Sequence, residues 1–183
     1  MKKDEIRRRV RAQKSMLTEY ERRQAADDVF EQLEQLAAFI MSEHILMYHS
    51  LPDELSTHSF LDKWHGSKHF YLPRVNGVNL DILPYEQTSL QLGAFHIEEP
   101  QGDETVSIDD IEMVVVPAMA YDRQGNRVGR GKGYYDRLLA DSKAIKIGVA
   151  YDCQLVDEID TDSFDQPVDI VITQSRTYKI RKR

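Results

Sequence analysis

The sequence predicts an α/β fold: a single three-layer domain over residues 1–183, with a mainly parallel central sheet and helices on both faces. Three observations carry that expectation. Short apolar runs alternate with stretches of helical periodicity, the pattern of βαβ units. The run "IEMVVVPAMAYD" (111–122) is apolar and β-branched through "MVVV", as a strand covered on both faces demands. No repeat and no low-complexity linker divides the chain.

The elements follow in order. Residues 2 to about 41 read as helical. Thr18 and Glu21 in "TEYE" fit a capping box, in which the Thr hydroxyl takes one free amide and the Glu reaches back to another. Beyond it Ala26, Val29, Phe30, Leu33, Leu36, Ala37 and Ile40 recur as one apolar stripe. Before it Ile6, Val10 and Leu17 form a weaker stripe among Lys3, Arg7, Arg8, Arg9 and Arg11. "HILMYHS" (44–50) reads as a buried strand. "STHSFLDKWHG" (56–66) reads as a short helix, with Ser56 as N-cap and Gly66 as its stop. "HFYLPRV" (69–75) is strand-like up to Pro73, and "LDILPYE" (80–86) suits an edge strand. After the strong strand at 111–122 comes a helix over 134–142, then strands over 144–152 and 168–178.

Composition narrows the classes of function. A chain of 183 residues with 41% hydrophobic content can bury a sizeable core. The net charge of −7 argues against non-specific nucleic-acid binding and leaves room for a local basic pocket. Cys153 is the only cysteine, so neither an internal disulfide nor a cysteine metal cluster is available; it reads as a small buried residue. His44, His49, His58, His65, His69 and His96 show no metal-ligand spacing. "MKKDEIRRRV" lacks the apolar core of a secretory signal, and no apolar run is long enough to span a bilayer. A cytoplasmic monomer, with no membrane or nucleic-acid partner, is expected.

Chemistry concentrates in "NRVGRGKGYYDR" (126–137), after the strongest strand and before a helix. Open α/β sheets bind ligands there, outside the carboxyl ends of the strands. The stretch is not a Walker A motif: Asn126 replaces the first glycine, and Gly133 stands where Ser or Thr is required. Nor do Gly129, Gly131 and Gly133 form G-x-G-x-x-G. Its physics is still that of an anion site. Glycines let backbone approach a ligand, a helix N-terminus offers free amides, and Arg127, Arg130 and Lys132 add charge for a polyphosphate. Asp136 stands ready for Mg²⁺. The competing interpretation is a glycine-rich turn with solvated basic residues.

The wider context resembles one family. "VVVPAMAYDRQGNRVGRGKGYYDRLL" is similar to the signature of 5-formyltetrahydrofolate cyclo-ligases, an apolar strand with P-x-x-x-[FY]-D, then G-x-R-[LIV]-G-x-G-x-G-[FY]-Y-D. "SLPDELST", "YLPRV" and "PVDIVIT" resemble further segments of that family, as does the Lys3-x-x-x-Arg7 spacing. One departure is "FHIEEP", where Glu98 occupies the place of a family proline.

The resemblance implies an ATP- and Mg²⁺-dependent ligase of one-carbon metabolism, which converts 5-formyltetrahydrofolate to 5,10-methenyltetrahydrofolate, ADP and phosphate. It implies that Lys3, Arg7 and the loop Arg127, Val128, Gly129, Arg130, Gly131, Lys132, Gly133, Tyr134 and Tyr135 bind ATP, with Arg130 and Lys132 serving catalysis. It implies a folate site formed by His49, Glu54, Phe95, Arg130 and Tyr134, and Asp136 and Asp169 beside the metal. Other residue-level explanations stay open: a solvated basic face for Lys3 and Arg7, a turn acid for Glu54, a strand-start cap for Asp169. Two rival functions also remain, a different nucleotide-dependent α/β enzyme and an RNA binder using "IRRRVRAQK".

Overall fold

The computed structural model describes residues 1–93 and 97–181. The N-terminal stretch forms three helices: α1 (Lys3–Ser15), α2 (Glu19–Glu34) and α3 (Ala37–Met41). Both bonds of the capping box are made: Glu21 N–H donates to Thr18 Oγ1 and Thr18 N–H to Glu21 Oε1, each at 3.1 Å. The expected apolar stripe holds through Leu36, which still packs against the core, and then fails. α2 ends at Glu34 and the chain re-enters helix at Ala37 with a new phase, so Phe39 is buried while Ile40 is 64% exposed.

The strands are β1 (His44–Leu46), β2 (His69–Asn76), β3 (Asn79–Pro84), β4 (Gln91–Leu92), β5 (Glu98–Glu99), β6 (Met113–Val116), β7 (Ala120–Tyr121), β8 (Arg127–Val128), β9 (Ile145–Val149), β10 (Ile170–Ile172) and β11 (Thr177–Lys179). Helix α4 (His58–Trp64) lies between β1 and β2, and α5 (Tyr134–Leu139) between β8 and β9. Seven strands make one sheet in the order β11-β10-β9-β6-β1-β2-β3. The five from β10 to β2 are parallel, and each edge is closed by an antiparallel partner. The strand expected over 168–178 is thus a hairpin, turned where Thr173 N–H donates to Arg176 O (3.0 Å). β2 also runs on through Pro73. Past the end of β1 no further strand pairs with that side of β2 among the described residues, and Glu99 takes the Val75 N–H instead (2.6 Å), so the missing proline N–H leaves no gap in a ladder.

Alternate residues of each strand face opposite layers. Ile45, Met47, Met113, Val115, Ile147 and Val149 pack under α2, α3 and α4, with Val29, Phe30, Leu33, Phe39, Phe60 and Leu61. Leu46, Val114, Val116 and Val171 face the other way, with Leu139 of α5, Ile111 and Tyr121. All four residues of β6 are buried, which explains its unbroken apolar run. From β1 the chain winds to β2, and from β6 it winds the opposite way to β9 and β10. Winding therefore reverses between β1 and β6, and a doubly wound sheet opens a crevice at that point. No helix among the described residues is long and apolar enough to cross a membrane.

Candidate active site

A cavity of about 790 Å³ occupies this crevice. One wall is the segment after β1, another the segment after β6 with the glycine loop, and α1 closes a third side. The segment after β1 is pinned at its ends. Ser50 N–H donates to Thr57 Oγ1 (3.1 Å) and Thr57 N–H to Ser50 Oγ (2.9 Å), while Thr57 Oγ1 donates to Tyr48 O (2.7 Å). These bonds occupy the start of α4, which has Thr57 rather than the expected Ser56 at its N-cap position. Between the pins the chain presents Asp53 and Glu54.

Glu54 Oε1 accepts the Leu51 N–H at 2.9 Å, and Glu54 Oε2 lies 3.7 Å from Arg130 Nη2. Burial pushes its carboxyl above the ordinary value, against the pull of that amide and of Arg130. Asp53 beside it lies 3.5 Å from Arg130 and 3.4 Å from Lys14. Burial raises the Asp53 carboxyl, but those two cations outweigh it and hold it below its ordinary value. His49 lines the same wall, stacked on His58 at 4.2 Å between centroids, with Nδ1 3.3 Å from Glu98 Oε2. Burial and then His58 lower the His49 pKa, and Glu98 opposes them. The departure from the family proline thus supplies a carboxylate that reaches His49.

The glycine loop is delivered by the β7–β8 hairpin. Tyr121, fully buried, sets its ring against Gly148 of β9 and donates its hydroxyl to Val116 O. Past β8, Gly131 (φ 100°) and Gly133 (φ 69°) take conformations that side chains resist. The loop is braced from three directions. Arg7 Nε donates to Gly129 O (2.8 Å) from α1. Arg137 Nη2 donates to Lys132 O (2.8 Å), and its Nε to Val78 O in the β2–β3 turn (2.8 Å). Arg127, 6% exposed, pairs with Asp136 Oδ1 at 3.0 Å, an oxygen that also accepts Gln166 N–H (3.0 Å). Lys3 lies 2.5 Å from Asp165 and 3.2 Å from Asp162. Burial opposes the Lys3 charge, but the two aspartates prevail and raise its pKa.

The cavity brings together most residues that the sequence suggested. Lys3, Arg7, His49, Glu54, Arg127, Gly129, Arg130, Gly131, Lys132, Gly133, Tyr134, Tyr135 and Asp136 all line it. Val128 does not: it packs with Ile6, Val10 and Met119 in a small core beneath α1. Asp169 is also absent from the lining. It precedes β10 at the amino end of that strand, and its carboxylate accepts Lys146 N–H (2.8 Å). Phe95 lies outside the described residues. Sequence reasoning missed Lys14, Asp53, Asp162 and Asp165. Lys14 had a signal, since Lys3, Arg7, Val10 and Lys14 recur at helical spacing on the buried face of α1.

Comparison with known proteins agrees with this fold. A solved structure of 5,10-methenyltetrahydrofolate synthetase from Aquifex aeolicus superposes with a TM-score of 0.89 and 34% identity, covering 99% of this chain and 94% of that one. The 5-formyltetrahydrofolate cyclo-ligase of Haemophilus influenzae is 29% identical over 182 residues, covering 93% of this chain and 97% of the relative. That of Escherichia coli K12 is 27% identical over 180 residues, covering 93% and 99%. The profile of the 5-formyltetrahydrofolate cyclo-ligase family matches residues 1–174, and with the loop, the crevice and the fold in agreement, the chain belongs to that family.

Proposed function

We propose that the protein couples ATP hydrolysis to cyclisation of 5-formyltetrahydrofolate, giving 5,10-methenyltetrahydrofolate, ADP and phosphate. One observation carries this beyond family membership: a single cavity holds a basic glycine loop and, within reach of its Arg130, the desolvated carboxylate Glu54. A polyphosphate needs the first, and the amino-pyrimidine edge of a pterin, with its N–H donors, needs the second. His49 and Tyr134 complete the folate side, and Lys3, Arg7, Gly129–Gly133 and Tyr135 the nucleotide side.

The formyl carbon is a poor electrophile and its oxygen a poor leaving group. Transfer of the γ-phosphoryl to that oxygen corrects both. N10 then attacks the carbon, the C–O bond to phosphate breaks, and N10 loses its proton. The protein's task is in-line positioning and charge stabilisation, which Arg130 and Lys132 supply. Mg²⁺, when bound, would supply positive charge against the charge of the nucleotide's phosphates. Among the described residues no three His, Cys, Asp or Glu side chains form a metal group. That suits Mg²⁺, which is commonly held by one or two carboxylates together with substrate phosphates. Asp136, in the cavity beside the loop, would provide such a carboxylate. Asp169, bonded to Lys146 N–H, finds no comparable support. The test is methenyltetrahydrofolate absorbance with 5-formyltetrahydrofolate and Mg²⁺, with and without ATP. ATP-dependent formation is expected; none from folded, ATP-binding protein would reject the assignment.

A further inference from the structure

We propose that Lys14 is a further substrate-binding residue, whose buried ammonium meets an anionic oxygen of the bound substrates at the Glu54 end of the cavity; this rests on the function proposed above. Lys14 is 3% exposed and lines the cavity. Its ammonium offers three donors. Among the described residues it has one hydrogen-bond partner, Asp53 Oδ2, at a long 3.4 Å. That carboxylate is half exposed and shared with Arg130. Such a pair does not compensate the desolvation of a buried cation, and an apolar side chain would serve the fold as well or better.

The other cations on this face of α1 are engaged. Lys3 is held by two aspartates, and Arg7 by Gly129 O and Asp4. Lys14 lies seven residues beyond Arg7, roughly 10 Å along the axis. The row of charges therefore runs from the phosphate loop towards Glu54. An anion arriving there would compete with Asp53 for both Lys14 and Arg130. Two substrate groups have this chemistry: the phosphoryl in transit to the formyl oxygen, and a carboxylate of the folate's glutamate.

Lys14→Met tests the assignment. Its unfolding temperature is expected at or above that of the unaltered protein, while kcat/KM falls by about tenfold or more, the scale of one charge-assisted hydrogen bond. Calorimetric Kd values for 5-formyltetrahydrofolate and a non-hydrolysable ATP analogue give a readout apart from turnover. If the anion is the phosphoryl, the loss falls on kcat and is equally large with the methylamide of 5-formyltetrahydropteroate, which carries no carboxylate. If it is the carboxylate, the loss falls on folate KM and Kd and vanishes with that amide. Asp53→Asn keeps the ammonium and removes its partner, so folate Kd is expected to hold or tighten. A Lys14→Met kcat/KM within twofold of normal overturns the proposal. So does an Asp53→Asn defect matching that of Lys14→Met, which would make Lys14 one half of a structural pair. Failure of the unaltered protein to turn over would instead strike the proposed function.

Discussion

Gly148→Ala tests whether the sheet supports the loop in the way described. A Cβ on Gly148 would lie 2.5 Å from Cζ and 2.6 Å from Cε1 of the Tyr121 ring. Neither side can yield cheaply. Gly148 pairs with Val116 on one side and Val171 on the other, and Tyr121 is fully buried with its hydroxyl on Val116 O. Overpacking of this kind costs about 1–3 kcal/mol. Displacing the hydroxyl from Val116 O, and leaving a buried phenol unpaired, adds about 1–3 kcal/mol. The sum, about 2–6 kcal/mol, corresponds to a fall in unfolding temperature of roughly 5–20 °C for a domain of this size. Urea and thermal unfolding, followed by circular dichroism, measure it. Tyr121→Leu in the Gly148→Ala background should recover part of the loss, so the double-mutant cycle should be non-additive. A cost under about 0.5 kcal/mol, or strict additivity, would refute the ring-on-glycine account.

Three further outcomes follow from the site. Lys132→Ala and Arg130→Ala, both exposed positions, should cut kcat/KM by about a hundredfold or more with unchanged unfolding; unaltered kinetics in both would remove the loop from the chemistry. Glu54→Gln should raise folate KM roughly tenfold with little effect on ATP. The Glu54 carboxyl is raised in the folded state, so folded protein binds the extra proton and stability falls as pH climbs through and above 4.5. The Gln variant should therefore be as stable as the parent or more so at pH 7, with its advantage shrinking towards pH 4; a growing advantage on acidification would contradict this. His49, lowered by burial and His58, should titrate below 6.5 by NMR, and Glu98→Gln should lower it further; an unmoved midpoint would separate Glu98 from His49.

Much of this was legible in the chain because local rules act locally. The capping box needs only Thr18 and Glu21, and the buried strand only the run "MVVV". The glycine loop announces itself through residues that few other roles require. What escaped was set by tertiary context. The phase shift at Leu36 cannot be inferred from a stripe that continues to Ile40. The turn at Thr173–Arg176 carries no glycine or proline to mark it. Asp162 and Asp165 lie in an acidic stretch without a motif, and only folding brings them to Lys3. Asp169 is a different case: the resemblance assigns it a place beside the metal, while its strand puts it at the amino end of β10, with its carboxylate on Lys146 N–H.

The reversal of winding between β1 and β6 has a consequence for how the enzyme comes into being. The cavity draws its wall from residues 3–14, 48–54, 72–80, 97–99, 117–137 and 162–165, so almost every part of the chain must be in place before any of it can bind. No early fragment emerging from synthesis would own half an active site. The central pairing of residues 45–46 with 113–114 must wait for everything between them, and such distant pairings are slow to form. Both substrates, gripped by segments that have nothing else in common, would then tie the finished molecule together. Nucleotide and folate in the cell would act as a seal on completed folding, raising stability with the logarithm of their concentration and giving none to chains still being made.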